Sequence, residues 1–134
     1  AYADHVQAYG AGGLKALGLD ALEMLARLYW YTIEFGLVRS PQGLRAYGAG
    51  LLSSGGELAY CIDDPAPQRL RFDLERVLRT DYRIDTFQPT YFVIDGFRAL
   101  REATAPDFEP IYARLRGLPV LPADGRLAAD RLAA

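Results

Sequence analysis

Cysteine, histidine, methionine, tryptophan and lysine each occur once in the 134 residues. A lone cysteine, Cys61, excludes a disulfide framework and a cysteine zinc site built from this sequence, and burial as a small hydrophobe is the use left to it. A lone histidine, His5, can neither form a metal site by itself nor complete a catalytic triad, and it reads as a surface helix residue. No stretch reaches the ~18 uncharged apolar residues of a membrane span, and the first residues lack the basic and apolar regions of a signal peptide. A cytoplasmic protein with no membrane partner is expected. An excess of charge of one sign is also missing. Fifteen basic against 17 acidic residues leave a net charge of -2, which gives no footprint for nucleic acid.

Apolar and aromatic residues are plentiful. The chain is 51% hydrophobic, with nine Tyr and six Phe, enough to bury roughly two-thirds of the unfolded surface in one domain. Leu22, Leu25, Ala26, Tyr29 and Ile33 recur at helical spacing after an N-cap at Asp20, and Gly36 supplies the stop. A less regular helix is expected over residues 1 to 12. "GLVRS" and "LRAYG" flank Pro41, Gln42 and Gly43, a turn composition that predicts a hairpin. Further helices are expected over residues 53 to 61, 73 to 80, 96 to 104 and 108 to 115, with "TYFVID" alternating like a strand. The class is mainly α, an α+β arrangement with small hairpin strands. The tail from 118 to 134, rich in Pro, Ala and Gly, reads as frayed. "AYGAGG" returns as "AYGAGL" at 46 to 51, but the flanks differ, so no duplication is inferred.

The Gly-rich "GAGLLSSGGE", residues 48 to 57, fits none of three common site motifs. Ser53 stands where a dinucleotide fingerprint needs a small residue, a Walker loop would need a lysine, and neither serine has the flanking glycines of a nucleophile elbow. A loop feeding a helix, capped by Ser53 or Ser54 with Glu57 in its first turn, is the plain reading.

Glu34 is set apart by its neighbours. "LYWYTIEFGLV" surrounds it with Tyr29, Trp30, Tyr31, Ile33 and Phe35, and the nearest basic residue in sequence is Arg39. In the last turn of a helix the macrodipole disfavours a carboxylate by ~0.3 to 1 kcal/mol, and burial without a partner would cost several more. Arg27 is two turns away and better placed to pair with Glu23. Either Glu34 faces solvent at a helix end, or a bound cation meets it.

Three ordered blocks then carry a resemblance: "ARLYWYTIEFGLV", "GLRAYGAGLLSS" with "GELAYC" behind it, and "YRIDTFQPTYFVID", with "ATAPDF" beyond. Together they resemble the aromatic amino acid hydroxylase family, in particular its short bacterial members acting on phenylalanine. The resemblance implies the catalytic-domain fold of that family over residues 1 to 117, incomplete at its N-terminus. It also implies a tetrahydropterin-dependent Fe(II) monooxygenase that uses O₂ to hydroxylate L-phenylalanine to L-tyrosine. Two His and one Glu hold such an iron on one face and leave adjacent positions open. By motif Glu34 is the carboxylate ligand. The resemblance further implies that Trp30, Phe35 and Gly50 line the amino-acid pocket and that Tyr29 stands near iron and pterin. Ser53 would bond the substrate carboxylate or an iron-bound His, Glu57 would support that loop, and Tyr91 would sit on a covering segment. The family's His motif is absent here and is expected upstream; an iron-free remnant binding an aromatic ligand is the alternative. Tyrosine or tryptophan as substrate stays open. A monomer is implied, since the long oligomerisation helix of the animal enzymes is missing.

Overall fold

The computed structural model describes residues 19–133. The helix expected at residues 1 to 12, His5 and the first "AYGAGG" lie outside them. Helix α1 runs Leu19–Tyr29 and is already formed one residue before the N-cap expected at Asp20. Its buried stripe is Ala21, Met24, Leu28 and, just beyond, Tyr31, whereas Leu22 and Tyr29 stay 47% and 43% exposed. The apolar face is thus rotated by one residue from the one read in the sequence. Arg27 does pair with Glu23, at 3.8 Å.

The chain leaves α1 through a π-helical turn, Trp30–Glu34, closed by the Phe35 N–H donating to the Trp30 carbonyl at 2.9 Å. Strands β1 (Leu37–Ser40) and β2 (Gly43–Ala46) form the expected antiparallel hairpin. Gly43 at its turn has φ 108°, a backbone region that favours glycine. Helix α2 (Ala49–Leu52) and helix α3 (Gly55–Asp63) replace the single helix expected over 53 to 61. Ser54 caps α3 by accepting from the Glu57 N–H.

Strand β3 (Gln68–Arg71) follows, then α4 (Leu74–Leu78), capped by Asp73, which accepts from the Arg76 N–H. Strand β4 (Thr90–Ile94), α5 (Phe97–Thr104) and α6 (Glu109–Leu115) complete the regular elements. The sheet order is β2-β1-β4-β3, with β4 parallel to both β1 and β3. All five β4 residues are buried, because helices cover both faces of the sheet. Phe92 packs with α1, α4 and α6, while Tyr91 and Val93 face Leu37, Leu51 and Cys61. "TYFVID" thus forms the strand expected, its side chains alternating between two packed faces.

The tail is packed, which corrects the frayed reading of residues 118 to 134. Leu121 bridges to Thr80 and Leu132 to Leu70, and the Ala133 N–H donates to the Arg69 carbonyl at 2.8 Å. Arg76 and Asp130 form a buried ion pair at 2.9 Å, and Arg76 also donates to Thr80 Oγ1 and the Gly125 carbonyl. Covering the β3 edge gives its backbone groups partners that an open edge would lack.

Candidate functional site

The π-turn gives Glu34 its setting. Inserting one residue per turn interrupts the α-helical ladder, and such turns recur at functional sites. Thr32 Oγ1 donates to the Leu28 carbonyl at 2.6 Å, and the Gly36 N–H donates to the Thr32 carbonyl at 3.0 Å, so the backbone through the turn is tied at both ends. Glu34 emerges half-buried at its last position.

Two glycines let α2 and its N-cap residue press against this turn. A Cβ on Gly48 would stand 2.3 Å from the Glu34 carbonyl oxygen. One on Gly50 would stand 2.9 Å from Phe35 Cζ and 3.1 Å from Glu34 Oε2. The space directly over the Glu34 carboxylate thus exists because residue 50 has no side chain. Within the described residues the Glu34 carboxylate makes no hydrogen bond and no ion pair. No three described His, Cys, Asp or Glu side chains are grouped so as to hold a metal, so Glu34 can be only one donor of such a site. An anionic oxygen pair, held by backbone and left uncommitted beside a glycine-made space, fits that contribution.

An aromatic wall adjoins it. Trp30 lies over Tyr82 with ring centroids 4.4 Å apart and against Phe35 at 4.6 Å. Trp30 Nε1 is buried with no hydrogen-bond partner among the described residues. Tyr29 is exposed on the last turn of α1, next to the π-turn. Ser53 is exposed at the end of α2 and donates to the Gly50 carbonyl at 3.2 Å, which places it on the segment that covers Glu34. The structure therefore brings Glu34, Phe35 and Gly50 into contact and sets Trp30 and Ser53 against that group.

Glu57 lies below this surface at 5% exposure. Its Oε2 accepts from the Tyr91 hydroxyl at 2.6 Å and from the Gln88 N–H at 3.0 Å. Burial first, and the Glu57 carboxylate second, push the Tyr91 phenol far above its ordinary range, so it stays a donor. Tyr91 does not lie on a covering segment. It is fully buried on the central strand, with its hydroxyl committed to Glu57. Cys61 is buried and free, and burial, followed by the nearby Glu57 charge, pushes its thiol up to about 11. It packs as the small hydrophobe expected.

Sequence reasoning missed the linker of residues 81–89, which supplies Tyr82 to the aromatic wall and Gln88 to Glu57. Both lie within or beside the block "YRIDTFQPTYFVID", but nothing in their spacing signals a stack or a backbone donor.

The sequence pattern of the biopterin-dependent aromatic amino acid hydroxylases matches residues 1–108. The chain belongs to that family. It is 62% identical over 118 residues to phenylalanine-4-hydroxylase of Ralstonia nicotianae, covering 88% of this chain and 38% of that protein. It is 61% identical over 114 residues to the protein of the same name from Chromobacterium violaceum, covering 85% of this chain and 38% of that one. Among solved structures, the iron- and phenylalanine-bound crystal structure of the C. violaceum phenylalanine hydroxylase superposes with a TM-score of 0.94 at 56% identity, covering 96% of this chain and 48% of that one. The chain thus spans less than half the length of these relatives. No helix among the described residues is long and apolar enough to cross a membrane.

Proposed function

We propose that this chain carries the carboxylate half of the metal site in a tetrahydropterin-dependent, Fe(II)-containing phenylalanine 4-monooxygenase, with two His ligands supplied by polypeptide that precedes it. The observation that carries the reading is the half-buried Glu34 carboxylate, without a hydrogen bond or ion pair among the described residues and roofed by Gly50. The relatives named phenylalanine-4-hydroxylase and the iron-and-phenylalanine complex of one of them support the substrate and the metal. The protein is read as cytoplasmic and monomeric.

In this reading Glu34 would hold iron together with the two His. Iron so bound supplies O₂ activation beside the substrate ring, with the pterin as reductant. The chain's own residues do the rest. Trp30 and Phe35 present an apolar face that holds the phenylalanine ring and excludes water from it, and Gly50 leaves the ring room beside Glu34. Ser53 turns its hydroxyl to the substrate carboxylate or to an iron-bound His, and Glu57 anchors the segment from below. Tyr29 flanks the pterin side.

The test is Glu34→Ala in the full-length protein, with iron measured after anaerobic loading alongside pterin-dependent tyrosine formation. Loss of both is expected, because one of three ligands is gone. Stoichiometric iron with normal turnover would make Glu34 a structural acid. A wild-type full-length protein that takes up no iron would favour instead the iron-free, aromatic-ligand-binding module.

A further inference from the structure

A second cavity lies apart from the Glu34 group and shares no residue with it. Of about 660 Å³, it opens where β3 and β4 end, between α4, α5, α6 and residues 127–131. That volume is within the ~300 to 1,000 Å³ of small-molecule pockets. Its floor is apolar: Ile94, Leu100, Leu115 and Leu127 line it, with the small side chains Ala99 and Ala103 on α5 leaving the space.

The rim is unusual in its charges. Leu132 bridges antiparallel to Leu70, and the Arg71 N–H donates to the Arg131 carbonyl at 2.8 Å. In that register Arg71 and Arg131 are directly opposite, so their side chains leave the same face, and both line the cavity. Like charges placed so oppose folding, by ~0.2 to 1 kcal/mol. Neither guanidinium makes an ion pair or a hydrogen bond within the described residues. The neighbouring carboxylates are engaged elsewhere. Asp130 pairs with Arg76 and Glu75 with Arg114, Asp73 caps α4, and Asp95 stands 3.9 Å from Arg39. Arg79, also on the wall, donates through Nη2 to the Pro119 carbonyl at 3.1 Å and has a buried Nε with no partner among the described residues. Three arginines with donors to spare, around an apolar floor, match an anion that has an apolar body.

We propose that this cavity binds a small organic carboxylate, its charge held between Arg71 and Arg131 and its apolar body laid on Ile94, Leu100 and Leu115. The planar guanidinium forks suit the two oxygens of a carboxylate, and the alanines of α5 set the width available to the body. The proposal does not depend on the assignment of the Glu34 site.

Isothermal titration of naphthalene-2-carboxylate into the full-length protein tests it. One site per chain is expected, with affinity weakened at least roughly tenfold for naphthalene-2-carboxamide, which keeps the body and loses the charge. The same loss is expected in Arg71→Ala/Arg131→Ala, whose side chains are exposed and whose removal leaves the core intact, and in Ala103→Leu, which fills the floor. Trp30→Ala should keep the site, which separates it from the aromatic wall beside Glu34. Should Ala103→Leu fail to fold, the carboxamide and the double arginine variant still decide. Absence of binding at about 1 mM, equal affinity for the carboxamide, indifference to the arginines, or loss in Trp30→Ala would each overturn the proposal. So would a full-length structure in which a carboxylate of the protein itself lies between Arg71 and Arg131.

Discussion

The Tyr91 hydroxyl donates to the Glu57 carboxylate across 2.6 Å, and both residues are shut off from solvent, so the first turn of α3 is tied to the central strand by a charge-assisted bond inside the core. Glu57 takes the Gln88 N–H on the same oxygen. One carboxylate therefore fixes three segments: the helix behind the 48–54 loop, the strand, and the linker that carries Tyr82.

Glu57→Leu should strand two buried donors and lower stability by about 2–5 kcal/mol, whereas Tyr91→Phe should cost about 1.5–3 kcal/mol by removing one donor from a buried charge. Urea unfolding of each variant, and of the double variant, measures this. A double-mutant coupling near zero would mean that the two side chains do not act on each other.

Gly48→Ala and Gly50→Ala are expected to separate stability from chemistry. At 48 the new Cβ meets the Glu34 carbonyl oxygen at 2.3 Å and the Phe35 nitrogen at 2.6 Å, and backbone must move, at about 1–3 kcal/mol. At 50 it meets Phe35 Cζ at 2.9 Å, the Glu34 carbonyl oxygen at 3.0 Å and the Glu34 carboxylate at 3.1 Å, a looser fit than at 48, so the stability loss should be smaller, while iron retention in the full-length protein falls. If Gly50→Ala binds iron as tightly as the parent, the space over Glu34 has no part in holding a ligand.

Ser53→Ala removes one 3.2 Å bond on an exposed residue, and stability should stay within about 0.5 kcal/mol. Iron should remain bound while phenylalanine turnover falls, by about 10- to 100-fold if the hydroxyl orients a ligand or the substrate. Unaltered turnover at limiting phenylalanine would reduce Ser53 to a helix-end residue.

Asp130 gives the protein an acid limb. Burial alone would raise its carboxyl, but the hydrogen bonds from Arg76 and the Leu127 N–H outweigh it, and the net displacement is downward. A depressed folded value means that the stabilisation is complete above the unfolded carboxylate value of about 3.9 and is lost as pH falls through the folded one. Unfolding midpoints should therefore drop below about pH 4 in the parent, and less steeply in Asp130→Asn, which should itself lose about 3–5 kcal/mol at neutral pH by leaving Arg76 buried and unpaired. The alkaline limb has the opposite sign. Tyr91, raised by burial and then by Glu57, favours folding below about pH 10 and withdraws that support as pH rises further. Equal acid sensitivity of parent and Asp130→Asn would show that the pair carries no linkage.

Much of this architecture could be read from the residues, for identifiable reasons. The hairpin was legible because Pro41, Gln42 and Gly43 carry turn chemistry, and the helix expected over 73 to 80 is α4, whose cap at Asp73 the structure supplies. The π-turn was not, because a change of backbone period between Tyr29 and Phe35 leaves the apolar pattern dense on every side. Strand β3 reads "QRLR", polar except for Leu70, and its pairing comes from β4 and the tail rather than from its own composition. The tail looked frayed because Ala, Pro and Gly carry little hydropathy, while its attachments are backbone bonds and one buried ion pair. Glu34 stood out through the apolar residues around it. Glu57 and Tyr91 could be named by resemblance, but their 2.6 Å contact joins positions 34 residues apart and has no local signature.

The sheet order has a consequence for synthesis. Because β4 is the neighbour of both β1 and β3, the hairpin and β3 join in one sheet only through a strand that follows both of them in the chain. Translation delivers Glu34, the hairpin and the 48–54 loop first, and they remain without their central partner until Ile94 has cleared the ribosome, some seconds later at ordinary elongation rates of about 5–20 residues per second. During that interval the edge of β1 that β4 later covers at Leu37 and Val38 stays open, a template for pairing with another chain.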